Sequence, residues 1–287
     1  MNGIIVIDKP SGWTSHDVVA KLRGILRERR IGHSGTLDPM ATGVLVVFVG
    51  RATRAVSFAE ADDKRYIASV RLGIITDTQD TTGKTLADNP ADVSPAEFEA
   101  ALKSFEGESF QLPPMYSAVK RGGKKLYELA RKGLEVERDP RKIVLSDMRL
   151  ISGEGNEFTF EVTCSKGTYI RTLCSDIGEK LGCGGAMSAL RRIRAGAFGI
   201  EEAVSLKQIE ACENKASLLK SVDMLFRSFP EFRADASAEK KCRCGADFEC
   251  GDIKNGKYRV YSANGDFLML GEAENGVMKT VKSFFEV

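Results

Sequence analysis

The sequence predicts an α+β fold followed by a small β-rich domain. Three observations carry this expectation. Strand-like and helix-like segments mix without the regular βαβ beat of a doubly wound sheet. Short continuous apolar runs at residues 4–7 and 44–49 have the look of buried strands. Asn-Gly pairs at 255–256, 264–265 and 275–276 divide the last part of the chain into short runs, and Asn-Gly is the strongest short hairpin signal.

The elements follow in order. The first run ends at the turn residues Asp8-Lys9-Pro10-Ser11-Gly12. Thr14 or Ser15 can then cap a helix with Val18, Val19, Leu22, Ile25 and Leu26 at helical spacing. Its other side carries Lys21, Arg23, Arg27, Arg29 and Arg30. A glycine-rich loop over 32–43 feeds the strand at 44–49, and residues 65–72 alternate as another strand. Ser94 starts a helix with Phe98, Leu102 and Phe105 on one face. Further strands are expected over 143–151, 158–164 and 190–198, and a helix over 172–181. The texture changes near Phe229-Pro230, so the expected domains are 1–228 and 229–287.

The 287 residues are 43% hydrophobic and 29% charged, an ordinary globular composition able to bury a sizeable core. No apolar run approaches the roughly 20 residues a bilayer span needs. The N-terminal MNGIIVIDKP has no basic flank or cleavage site, so no signal peptide is expected. Seven cysteines without a secretion signal fit reduced thiols, and a cytoplasmic location is expected. The net charge of +2 announces no nucleic-acid partner; only local clusters could.

One such cluster spans 120–142, where nine Lys/Arg face four Asp/Glu for a local net of +5, with Tyr116 and Tyr127 beside them. Taken alone it reads as a solvated helical face. The second cluster at 21–30, together with Arg191, Arg192 and Arg194, points instead to a phosphate-tracking surface. Cys242, Cys244 and Cys250 lack the paired spacing of a zinc ribbon, and two histidines, His16 and His33, are too few for a histidine metal site. No metal is expected, and no Walker or dinucleotide fingerprint supports a nucleotide cofactor.

The loop GHSGTLDPMATG leaves two readings open for Asp38. Asp and Gly are turn residues, Asp because it bonds nearby backbone and Gly because it adopts positive φ. Yet the following proline holds the Asp backbone extended, and a buried strand behind it gives the rigid base that a nucleophile requires.

This loop, extended to GHSGTLDPMATGVL, resembles the catalytic motif of the TruB family of tRNA pseudouridine synthases. IDKPSGWTSHDVV, DKRYIASVRLGIITDTQD, PPMYSAVKRGGKKLYELARKG, CSKGTYIRTLCSDIGEKLG and LRRIRAG agree with it, in order, through about the first two hundred residues. The resemblance implies the pseudouridine synthase fold, a mixed, largely antiparallel sheet flanked by helices, and a PUA-like RNA-binding domain at the C-terminus. It implies isomerisation of uridine at position 55 in the T loop of tRNA, with the base flipped out and no metal or organic cofactor. By motif position, Asp38 matches the catalytic aspartate and Arg171 the arginine that pairs with it. His33 matches the histidine that fills the space of the flipped base, Tyr66 the tyrosine that stacks on the uracil, and Leu190 an apolar pocket residue. Lys120, Arg121, Lys124, Lys125, Arg131 and Lys132 are then the residues expected on the T-arm phosphates. A monomer needing no protein partner and no membrane is expected. The alternative is a tRNA-binding folding chaperone, alone or in addition to catalysis.

Overall fold

A computed structural model describes residues 1–60 and 62–285. The chain divides into two compact units: Met1–Pro39, Leu45–Glu60 and Ala197–Val287 form one, and Met40–Val44 with Ala61–Gly196 form the other.

In the first unit, the β-branched run of the Gly3–Lys9 strand is buried along its length. The Ser15–Leu26 helix begins at a capping box: Thr14 accepts from the Asp17 amide, and the Asp17 carboxylate accepts from the Thr14 amide. Its Val18, Val19, Leu22 and Leu26 face a core shared with Ile5, Ile7, Leu45, Val47, Val49 and Ile209. The Ile31–Ser34 strand runs antiparallel to the end of the Thr42–Val49 strand, pairing Ile31 with Val49 and Ser34 with Val46.

The C-terminal part of this unit is β-rich, as expected. Five strands lie in the order Glu231–Arg233, Gly256–Tyr261, Phe267–Glu274, Val277–Ser283, Phe248–Glu249. Of the three Asn-Gly pairs, two make hairpin connections. Asn275-Gly276 is a two-residue turn with φ 52° and 77°, the left-handed pair that a tight hairpin demands. Asn255-Gly256 instead leads into a strand, and the Asn255 side chain accepts from the Asn275 amide. Cys242 and Cys250 pack in the core of this sheet, while Cys244 is exposed.

In the second unit, the strands Gly185–Ala195, Lys64–Leu72, Glu157–Cys164, Arg141–Glu154 and Gly107–Gln111 lie side by side, antiparallel throughout. Thr42 and Gly43 pair in parallel with Arg191 and Arg192, which makes the sheet mixed. The Pro95–Lys103 helix is opened by a second capping box at Ser94, and its Phe98 stacks on Phe158 of the sheet at 4.2 Å. Ile170–Lys180 forms the other main helix.

The basic stretch differs from a helical face. Lys120-Arg121 and Lys124-Lys125 form a small hairpin across Gly122-Gly123, followed by a single short helix, Leu126–Ala130. Two adjacent glycines between short lysine-rich runs favour a turn over a helix. Among the described residues, no helix is long and apolar enough to cross a membrane.

Candidate active site

The Asp38 loop is held from both sides by the segment that opens the chain. Just before Asp38, the Leu37 amide donates to Ser15 Oγ at 3.0 Å, and that hydroxyl lies 3.3 Å from the Leu37 carbonyl. Just after it, the Pro39 carbonyl accepts from the Gly12 amide at 2.9 Å and from Lys9 Nζ at 3.2 Å. Lys9 is fully buried, and its ammonium also donates to the carbonyls of Trp13 at 2.6 Å and Pro10 at 2.9 Å. A buried ammonium is tolerated because oxygen acceptors replace its water shell. Leu37 is 2% exposed, so an apolar anchor and a cation brace the backbone on either side of a half-buried carboxylate. A turn that served only chain reversal would need neither. His33, half-buried on the adjoining strand, meets the His16 ring edge to face at 5.5 Å.

Tyr66, Leu190 and Arg171 lie in the second unit. Tyr66 and Leu190 sit on the neighbouring strands Lys64–Leu72 and Gly185–Ala195, where Tyr66 is opposite Arg192 and Ala68 is opposite Leu190. Directly opposed residues share a face. Tyr66, Ala68, Leu190 and Arg192 therefore form one buried patch, each at 8% exposure or less. Arg171 stands in the first turn of the Ile170–Lys180 helix and is 5% exposed. Its Nη1 donates to the Thr78 carbonyl at 3.0 Å and its Nη2 to the Tyr116 carbonyl at 2.9 Å. Asp80, itself 5% exposed, lies 3.8 Å from Nη1. The Asp80 carboxylate is fixed in turn by Thr78 Oγ and by the amide and hydroxyl of Thr82. The arginine fork is thus aimed by two backbone carbonyls and a fixed carboxylate, all in its own unit.

Two residues here were not singled out by sequence reasoning. Asp80 closes the run that begins at Asp63, and threonines on both sides of it mark a side-chain-bonded turn. Arg192 was grouped with the phosphate-tracking basic residues, and the structure corrects this. It is 1% exposed and donates through Nε to the Val44 carbonyl at 2.6 Å and through Nη1 to the Tyr66 hydroxyl at 3.4 Å. Its two-residue spacing from Leu190 on a strand was the available signal. The neighbouring Lys64 is also buried, and burial and then the Arg192 guanidinium push its ammonium below the usual lysine range.

The basic residues Lys120, Arg121, Lys124, Arg131 and Lys132 are exposed, and Lys125 is half-buried. Lys125 and Arg131 both approach the Tyr127 ring, at 5.4 and 5.3 Å from its centre. Arg121 lies 3.6 Å from Glu137 and 3.8 Å from Asp139.

Comparison with known proteins shows the family and the fold. Residues 23–170 match the family model described as TruB family pseudouridylate synthase (N terminal domain). Residues 171–226 match the tRNA pseudouridylate synthase B C-terminal domain. The tRNA pseudouridine synthase B of Syntrophomonas wolfei is 44% identical over 282 residues, 96% of this chain and 94% of that protein. The protein of the same name from Clostridium kluyveri is 41% identical over 289 residues, 99% of this chain and all of its own length. A chain in the crystal structure of a Cbf5-Nop10-Gar1 complex superposes with a TM-score of 0.74 at 28% identity, covering 99% of this chain and 85% of that one. The mixed sheet with its β-rich C-terminal part is thus the pseudouridine synthase fold that the motifs implied. The chain belongs to the TruB family of pseudouridylate synthases.

Proposed function

We propose that this protein isomerises uridine to pseudouridine at position 55 in the T loop of tRNA, with Asp38 acting at the ribose of a flipped-out nucleotide. Family membership supports uridine isomerisation in tRNA as the reaction class. The observation that carries the residue assignment is the bracing of Leu37 and Pro39 on either side of a half-buried carboxylate.

The chemistry needs little more than positioning. The C1′–N1 bond breaks, the uracil turns, and C5 joins C1′. Asp38 either attacks C1′ to form a sugar ester or removes the C2′ proton to form a glycal, and both routes use one carboxylate. Neither route changes a redox state or moves a phosphoryl group, so the chain's own side chains suffice. Arg171 matches the family's arginine partner of the catalytic aspartate, a role in which a guanidinium keeps a carboxylate ionised. Tyr66 stacks on the uracil, and once the new bond has formed its phenol passes its own proton to water as its oxygen takes the C5 proton. Leu190 supplies the apolar wall that keeps the detached base from escaping. His33 fills the gap in the loop and offsets part of the few kcal/mol that flipping costs. The exposed cations of 120–132 track the T-arm phosphates, and residues 229–287 act as a PUA-like domain that adds RNA contacts.

The test uses a T-arm stem-loop carrying C5-tritiated uridine. Tritium release by the wild-type chain alone, abolished in Asp38→Ala while stem-loop binding is kept, is the expected result. Undiminished release by Asp38→Ala would overturn the assignment. Tight binding by the wild type without release would select a tRNA-folding chaperone instead.

A further inference from the structure

We propose that Arg192 is a positioning residue for the isomerisation, holding the Tyr66 phenol oxygen where it accepts the C5 proton. The inference rests on the reading of Tyr66 as that acceptor.

Three observations carry it. First, the guanidinium is almost completely buried on the same sheet face as Tyr66 and Leu190, a costly place for a charge unless it has a task there. Second, its two ends do different things. Nε is anchored on the Val44 carbonyl at 2.6 Å, in the strand that follows the Asp38 loop in sequence, and Nη1 reaches the Tyr66 hydroxyl at 3.4 Å. Third, the backbone around it has no slack. A methyl group on Gly43, which sits at φ +96°, would come within 2.2 Å of the Arg192 carbonyl oxygen. Strand alternation from Leu190 puts Arg192 on the buried face, and the register break after it leaves Arg194 exposed.

The chemistry follows from these contacts. A guanidinium keeps its protons at any working pH, so toward Arg192 the phenol oxygen always accepts. That leaves another lone pair of the same oxygen for the substrate. After C1′ has joined C5, C5 still bears its hydrogen and the ring holds a C6=N1 double bond. The Tyr66 hydroxyl first gives its own proton to water, and the resulting phenolate takes the C5 proton and becomes the phenol again. The C5–H electron pair restores C5=C6, the C6=N1 pair moves to N1, and N1 takes a proton from water. Arg192 balances the phenolate charge before this step and aims the oxygen during it.

A double-variant cycle tests the proposal, with single-turnover rates measured on the T-arm stem-loop containing either ordinary or C5-deuterated uridine. Arg192→Met is expected to slow product formation about a hundredfold, the scale on which one positioned proton acceptor contributes. Its stem-loop Kd should stay within about twofold of wild type, and its rate ratio between ordinary and deuterated substrate should rise above the wild-type ratio. In a Tyr66→Phe background the same substitution should cost almost nothing further, because the partner it acts through is gone. Equal slowing in both backgrounds, or an unchanged isotope ratio, would make Arg192 a structural residue and overturn the proposal while leaving Tyr66 as the acceptor. Full activity and no isotope effect in Tyr66→Phe alone would overturn the reading of Tyr66, and this proposal with it. If Arg192→Met does not fold, Arg192→Lys carries the same cycle. It keeps the buried cation but loses the two-ended planar fork that joins the Val44 carbonyl to the Tyr66 hydroxyl, and the same outcomes decide.

Discussion

At the scale of single residues, small geometric facts around the candidate residues of each unit govern what can be changed. Gly43 is one. A Cβ there would meet the Arg192 backbone at 2.2 Å, and the position needs positive φ. Gly43→Ala should destabilise the protein by at least about 3 kcal/mol, read as a lower urea midpoint with unchanged slope. Arg171 is another. Its two terminal nitrogens reach two different carbonyls from a planar fork, a geometry that the single nitrogen of a lysine does not reproduce. Arg171→Lys should keep the fold and lose at least about a hundredfold in pseudouridine formation, checked by tritium release at saturating stem-loop. Asp38, Tyr66, Arg171 and Leu190 could all be picked out from linear motifs, because each sits in a quotable run. Arg192 could not. In LRRIR three arginines look alike, and only strand alternation makes the middle one face inward.

At the scale of elements, local rules reached most of the fold. The capping boxes at Thr14 and Ser94 start their helices where the side chains announce them, and the apolar runs became buried strands. The basic segment is a hairpin rather than a helical face because Gly122-Gly123, a turn signal, outweighs the spacing of its charges. The Ile170–Lys180 helix carries a pH effect of its own. Burial pushes the Asp176 carboxyl up from 3.8 to about 6, and Glu179 adds to the rise. The folded chain therefore holds that proton more tightly than the unfolded chain, and ionisation favours unfolding. Stability from this group is greatest below about pH 4 and declines as pH rises toward 6. Asp176→Asn should be more stable than wild type by about 1 kcal/mol at pH 8, a figure reduced because the side chain is only half-buried. The difference should vanish at pH 4, and urea unfolding at both pH values checks it.

At the scale of the whole molecule, a net charge of +2 conceals strong local fields. In the 120–132 segment six Lys/Arg residues meet one acid, Glu128, so the local field is positive although Arg121 lies near Glu137 and Asp139, and it is screened by salt. Replacing Lys120, Lys124 and Lys125 with alanine should weaken stem-loop binding at low salt. It should also flatten the plot of log affinity against log salt by roughly 0.7–0.9 for each phosphate that the variant no longer neutralises. The single-turnover rate at saturation should stay near wild type, which separates this surface from the residues proposed to be catalytic. Composition alone did not reveal such a surface, because acidic residues elsewhere cancel it in the sum.

The distribution of thiols has a practical consequence. Burial raises the Cys164 thiol to about 12 and Cys242 to about 11, and Cys174 rises further still. Cys183 and Cys250 are buried as well, Cys212 is half-buried, and Cys244 is exposed at the end of the Ala236–Arg243 helix. A maleimide dye added to the native protein near neutral pH should therefore attach first at Cys244, since thiolate character and access together set the rate. The wild-type chain thus has a natural attachment point on its β-rich C-terminal part. A fluorophore there can report whether that part meets the RNA, with no engineered cysteine and no change to the residues proposed to act on the uridine.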